Sequence, residues 1–132
     1  MSQENVEIVH MFYESILRDD HAAALARLAP DVDYRVLQEG PAHGPDAVRA
    51  MWERWESDWE EGGETIAEEF IDAGDRVLVT VHESGRGRGS GIKVDARVFN
   101  VFTLRDGKIV HKVEFTERSE ALEAAGLRPR PS

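Results

Sequence analysis

Residues 97–118 read RVFNVFTLRDGKIVHKVEFTER, and how this stretch folds decides the architecture. Apolar and polar residues alternate on both sides of Asp106-Gly107, the pattern of two strands joined by a hairpin turn. Asn100 interrupts the first run; His111, Lys112 and Glu114 interrupt the second. A tight two-residue loop puts Val98, Asn100, Phe102 and Leu104 on one face with Ile109, His111, Val113 and Phe115, so that Asn100 and His111 become diagonal neighbours in an apolar wall. A three-residue loop with Gly107 in a bulge shifts the register by one and flips the last strand. Asn100 then faces Lys112 beside Glu114, and His111 turns outward. Asn100 is on the inner face in both registers.

The same period of two extends upstream through TIAEEFI, a turn at Ala73-Gly74-Asp75, RVLVTVHES, the glycine-rich ESGRGRGSG and IKVDARVFNVFTL. This is an antiparallel meander. Helices precede it. Residues 3–18 carry Val6, Val9, Phe12 or Tyr13, and Ile16 at helical spacing, with Ser2 as the expected N-cap and Glu4 in the first turn. HAAALARLA predicts a second helix ending at Pro30, and VDYRV alternates as a strand. A third helix starts at Pro45-Asp46, carries Trp52, Trp55 and Trp59, and is expected to run to Gly62-Gly63. SEALEAAG closes the chain as a short helix ending at Gly126. Helices first and a long sheet afterwards make one α+β domain over residues 1–127, with 128–132 (RPRPS) as a disordered tail.

With 26 acidic against 16 basic side chains, the net charge of −10 repels phosphate backbones and anionic lipid, which argues against nucleic acid and membrane as partners. The absence of cysteine removes disulfides and thiolate chemistry. No stretch reads as a secretion signal or a membrane span, and a cytoplasmic location is expected. His10, His21, His43, His82 and His111 show no spacing that places two on one helical face, and the E-x-x-H of Glu7 and His10 occurs once where di-iron sites need it twice. No metal and no cofactor are expected. The glycine-rich turn lacks the lysine of a phosphate-binding loop, and His82 is expected beside Arg97 on the sheet's exposed side.

The segments IVHMFYESILRDD, DVDYRV, GPDAVRAMWERW, IDAGDRVLV, VFTLRDGKIV and TERSEALEAAGL together resemble the SnoaL-like proteins of the NTF2-like superfamily, which also contains ketosteroid isomerase. The resemblance runs from about residue 4 to 127. It implies a cone, in which a curved antiparallel sheet wraps around the N-terminal helices and a pocket, and a homodimer formed through the sheet's outer face. It favours the bulged register, because pocket positions map onto Val110, Lys112, Glu114 and Thr116. Members include isomerases, cyclases, dehydratases, epoxide hydrolases and non-catalytic domains, so the fold alone does not choose a reaction. The isomerase's tyrosine falls on Phe12, its base on Val36 and its protonated aspartate on Asn100, so that mechanism is not expected here.

The resulting expectation is a pocket for a small, mostly apolar molecule, acted on as by a cofactor-free isomerase, cyclase or dehydratase. Asn100 would hold a developing oxyanion, and Glu114 or His111 would move the proton. Tyr13, Tyr34, Trp52, Trp55, Phe102 and Lys112 are the expected ligand contacts. Each has a plainer role beside it. A tryptophan stripe packs cores, a Lys-Glu pair lines solvated strands, and a sheet asparagine is satisfied by a neighbour. On those roles the protein is a binding or scaffold domain with the same pocket and no turnover, or a purely structural dimer module in which Trp52, Trp55 and Phe102 fill the cone and leave no cavity.

Overall fold

The computed structural model describes residues 2–37 and 40–127; the expected tail lies outside them. Helix α1 (Ser2–Leu17) buries Val9, Phe12 and Tyr13, so both aromatic rings point inward where the sequence expectation left one or the other. Ser2 is already helical rather than the cap ahead of the helix. Asp19 takes a left-handed turn (φ 60°), and Asp20 caps α2 (His21–Leu25), its Oδ1 accepting from the Ala23 N–H at 3.1 Å.

Helix α2 stops at Leu25, five residues short of Pro30, because the following chain is drawn into the sheet. The Ile109 N–H donates to the Arg27 carbonyl at 2.9 Å, and Leu28 opens strand β1 (Leu28–Val36) opposite Ile109. Pro30 therefore sits inside a strand. Having no N–H to donate, it falls in the interval between Leu28 and Asp33 where the pairing register shifts. Strand β2 (Gly40–His43), unforeseen in the sequence, pairs antiparallel with β1 and forms one edge of the sheet, with Pro41 blunting it.

Helix α3 (Pro45–Ser57) begins as expected behind Gly44 (φ 85°) but ends before the Gly62-Gly63 pair. The backbone after Ser57 leaves the helix to bond strand β4 (Arg76–Arg86) and the turn beyond it: the Glu60 N–H donates to Arg86 O and the Arg88 N–H to Asp58 O, both at 2.8 Å. The Trp59 ring lies against Gly85, where an added Cβ would come within 3.2 Å of it.

Strands β3 (Glu64–Ala73), β4, β5 (Lys93–Arg105) and β6 (Lys108–Phe115) form the expected antiparallel meander. The sheet order is β2-β1-β6-β5-β4-β3, and β1 runs parallel to β6. The sheet is thus curved and mixed rather than wholly antiparallel. Its concave face packs on α1, α2 and α3 through Phe12, Val32, Val48, Val79 and Phe102. Its convex face carries a second cluster, in which Leu78 and Val101 lie under Ala121 and Ala125 from the C-terminal helix α4 (Arg118–Ala124) and the turn after it. No helix among the described residues is long and apolar enough to cross a membrane.

Candidate functional site

The β5–β6 hairpin follows neither register outright. Asp106 and Gly107, both at positive φ (53° and 77°), make the tight two-residue loop, and Leu104 faces Ile109. Val110 is then an extra residue on β6. Beyond it Thr103 faces His111, Phe102 faces Lys112 and Asn100 faces Glu114. Packing explains the compromise: Ile109 is fully buried in the main core and holds the tight loop in place, so the bulge falls after it and turns the rest of β6 over. Lys112 and Glu114 consequently share the concave face with Asn100. His111 does not; it sits on the opposite face between Thr103 and Asp33, away from the position that would let it move a proton for Asn100.

On β4, Val77, Val79, Val81 and Glu83 face Phe102, Asn100, Val98 and Ala96 in turn. Glu83 therefore joins the concave face, a position the sequence analysis passed over. The period-two run Val77, Val79, Val81 points to it directly.

Asn100 is 5% exposed, and its Nδ2 donates to the Tyr13 hydroxyl at 2.8 Å. Its Oδ1 is buried and accepts no hydrogen bond. Tyr13 is fixed edge-on against Phe12 and Phe102, with ring centroids 5.6 and 5.8 Å away. Burial holds its phenol well above the usual range, with Tyr34 adding to the shift and the Asn100 hydrogen bond opposing it. Tyr34, packed against Trp52 at 6.1 Å, is also raised by burial, against a hydrogen bond from the Trp52 side chain.

Lys112 is 3% exposed; its Nζ lies 4.5 Å from the centroid of the Tyr34 ring and donates to the Arg35 carbonyl at 3.4 Å. Burial lowers the amine to about 8, against the opposing pull of Glu114 and Glu83. Glu83 is raised, first by burial and then by repulsion from Glu114, while Lys112 opposes the shift. The two carboxylates and the amine thus share one electrostatic neighbourhood.

A groove of about 200 Å³, walled by Arg35, Val36, Leu37, Gly40, Pro41, Val113 and Glu114, opens where β1 and β6 part. Glu114 belongs both to this groove and, as the partner of Asn100, to the inner polar set. Of the remaining expected contacts, Phe102 is fully buried in the core and Trp52 bridges Phe12, Tyr34 and His21. Trp55 packs at a tilt against Trp59, with ring centroids 5.1 Å apart, instead of meeting the Asn100 set. Elsewhere, His21 Nε2 lies 3.3 Å from Asp19 and 3.1 Å from Glu56, bringing α2 and α3 together through two exposed carboxylates.

A curved six-stranded sheet closed over by helices, with an amide, an amine and carboxylates turned to its concave side, is the cone of the NTF2-like class. Residues 9–112 match the SnoaL-like domain, and the chain belongs to that family. An NTF2-like protein of Burkholderia thailandensis is similar at 30% identity over 94% of this chain and 97% of its own, with a TM-score of 0.78. An NTF2-like protein of unknown function from Burkholderia pseudomallei superposes with a TM-score of 0.77 at 24% identity, covering 91% of this chain and 95% of its own. A Catenulispora acidiphila protein with a ketosteroid isomerase-like fold, in complex with trimethylamine, shares the fold at 19% identity (TM-score 0.74, 95% of this chain and 98% of its own). No curated protein matches the chain.

Proposed function

We propose that the cone binds a small, mostly apolar molecule bearing a hydroxyl or carbonyl oxygen, and that the two carboxylates carry out cofactor-free acid–base chemistry on it, as in isomerisation, cyclisation or dehydration. Asn100 is the observation that carries this reading. A buried amide oxygen without a donor costs about 1–3 kcal/mol, and a ligand hydroxyl or enol reaching it would recover that cost. Glu114 lies opposite Asn100 and lines the groove through which such a ligand would enter. Glu83, raised by burial, is suited to donate a proton. Pairing of two copies through the convex face left open by α4, around the half-buried Phe99, Val113 and Phe115, belongs to the same reading.

2-Naphthol and naphthalene, followed by fluorescence, test the binding half. One buried hydrogen bond is worth about tenfold in affinity, so 2-naphthol binds about tenfold more tightly than naphthalene, and Asn100→Leu abolishes the difference. Equal affinities for wild type would overturn the assignment. Deuterium exchange α to the carbonyl of 2-tetralone tests the chemical half. Glu83→Gln and Glu114→Gln are each expected to slow it about a hundredfold, the usual share of a positioned acid or base, and unchanged rates in both would leave binding alone.

The full burial of Phe12 and Phe102 favours the second reading, a binding or scaffold domain without turnover, because these rings fill the base of the cone. Naphthol binding without any exchange is its signature.

A further inference from the structure

We propose that Lys112 is a carbonyl-capturing nucleophile, whose ε-amine condenses with a small apolar aldehyde or ketone entering from the groove between β1 and β6 to form an imine. This rests on the binding reading above and adds a covalent step that general acid–base chemistry does not require.

The ammonium is poorly held. The bulge at Val110 turns Lys112 to the concave face, where it faces Phe102 across the hairpin and the Tyr34 ring above. Its one hydrogen bond, to Arg35 O, is long at 3.4 Å, and among the described residues no ion pair fixes it. An ammonium has three donors and no acceptor, so two N–H groups are left to an aromatic surrounding. Giving up the proton relieves that burial and exposes a lone pair, the condition under which lysine attacks carbonyl carbon. The lowering of the amine to about 8 agrees with this geometry.

Access and proton handling meet at Glu114, which lines the groove and faces Asn100. Arg35, whose carbonyl holds Nζ, and Glu114, two residues from Lys112, are both groove walls, so the groove reaches the immediate neighbours of the amine. The Nζ lone pair adds to the carbonyl carbon, nitrogen releases a proton to Glu114, and Glu83, whose acid form burial favours, delivers one to the oxygen. Glu114 passes its proton on to the carbinolamine hydroxyl, and the C–O bond breaks as C=N forms and water leaves. The iminium N–H returns a proton to Glu83, so both carboxyls end as they began. Nothing is oxidised or reduced, and the only product besides the imine is water. Asn100, diagonal to Lys112 at roughly 7 Å between β carbons, is placed to bind a second oxygen on the same ligand.

The chain suits the experiment because it has three lysines only, and Lys93 and Lys108 are exposed. The full-length protein is treated with benzaldehyde and sodium borohydride, which fixes an imine as a benzylamine, and the label is mapped by mass spectrometry. The expected result is one benzyl group on Lys112, at least tenfold over either other lysine at pH 7 to 8, and none at that position in Lys112→Met. The Lys112 labelling rate rises with the free amine and levels off above about pH 9. In urea all three label alike. Label on Lys93 and Lys108 with Lys112 bare overturns the proposal, and wild-type mapping decides this even if the Lys112→Met chain does not fold. Benzyl alcohol, which cannot form an imine, separates the two readings. If it binds while Lys112 stays unlabelled, the pocket stands and the capture step is wrong; if neither compound engages the protein, the binding reading has failed first.

Discussion

Phe102→Ala is expected to lower the unfolding free energy by about 3–5 kcal/mol, a large part of what a domain of this size has. Phe102 has no exposed surface and packs edge-on against Phe12 and Tyr13, with centroids 5.7 and 5.8 Å away. Removing the ring forfeits its transfer energy and leaves a void between α1 and β5 that stiff neighbours cannot close, since β5 is paired on both sides. Urea denaturation checks this. The midpoint falls while the slope stays constant if the native state remains compact. A loss under about 1 kcal/mol would mean that Phe102 borders an open cavity in solution, which would return it to the set of ligand contacts. Phe102→Leu, keeping most of the volume, is expected to lose less than half as much.

The elements that sequence reading placed well are those in which one local rule acts alone. The meander alternates along most of its length from Glu64 to Phe115, broken by bulges at Glu68 and Val110, and Asp106-Gly107 has the residues that a left-handed two-residue loop demands. Helix α3 starts where Gly44-Pro45 places it. The misplacements fall where a distant partner outweighs local propensity. Ala26–Ala29 would extend a helix, but Ile109 supplies a strand partner from the far end of the chain, and the alanines of α2 bury too little surface to resist it. The end of α3 is set by Arg86 and Arg88, not by the two glycines after it.

The site was legible in the same partial way. Asn100 lies on the concave face in either register, so its place needed only the parity of β5. Lys112, Glu114 and His111 depended on where the extra residue fell. Hydrophobic pattern favoured leaving the strand unshifted, resemblance favoured a bulge in the turn, and the protein puts the bulge three residues after Gly107, at Val110. Glu83 was missed for another reason. It belongs to a strand whose polar end reads as solvated, which masks the inward parity set by Val77, Val79 and Val81; its pairing with Ala96 and its interaction with Glu114 and Lys112 show it on the inside.

Lys112→Met is expected to stabilise the protein, by about 2–3 kcal/mol at pH 7, or roughly 6–10 °C in Tm. The sign follows from the proton balance. The folded amine titrates at about 8 and the unfolded one near 10.4, so between those values the unfolded chain binds the extra proton and wild-type stability climbs with pH. Below pH 8 both states are protonated, and the folded protein carries the full penalty of a buried ammonium, about 1.4 kcal/mol for each unit by which the value is lowered. Methionine fills nearly the same space without a charge, so the advantage is greatest below pH 8 and fades toward pH 10. Loss of the amine also leaves Glu83 and Glu114 to repel each other, which trims the gain and pushes Glu83 further up. Adding Glu83→Gln removes that repulsion, so the double variant is more stable at neutral pH than Lys112→Met alone. Thermal unfolding of wild type and both variants between pH 6 and 10 reads all of this in one series. A Lys112→Met protein less stable than wild type by a pH-independent amount would show an ammonium held more firmly than one long hydrogen bond and a ring face allow, and a well-held ammonium does not attack carbonyl carbon.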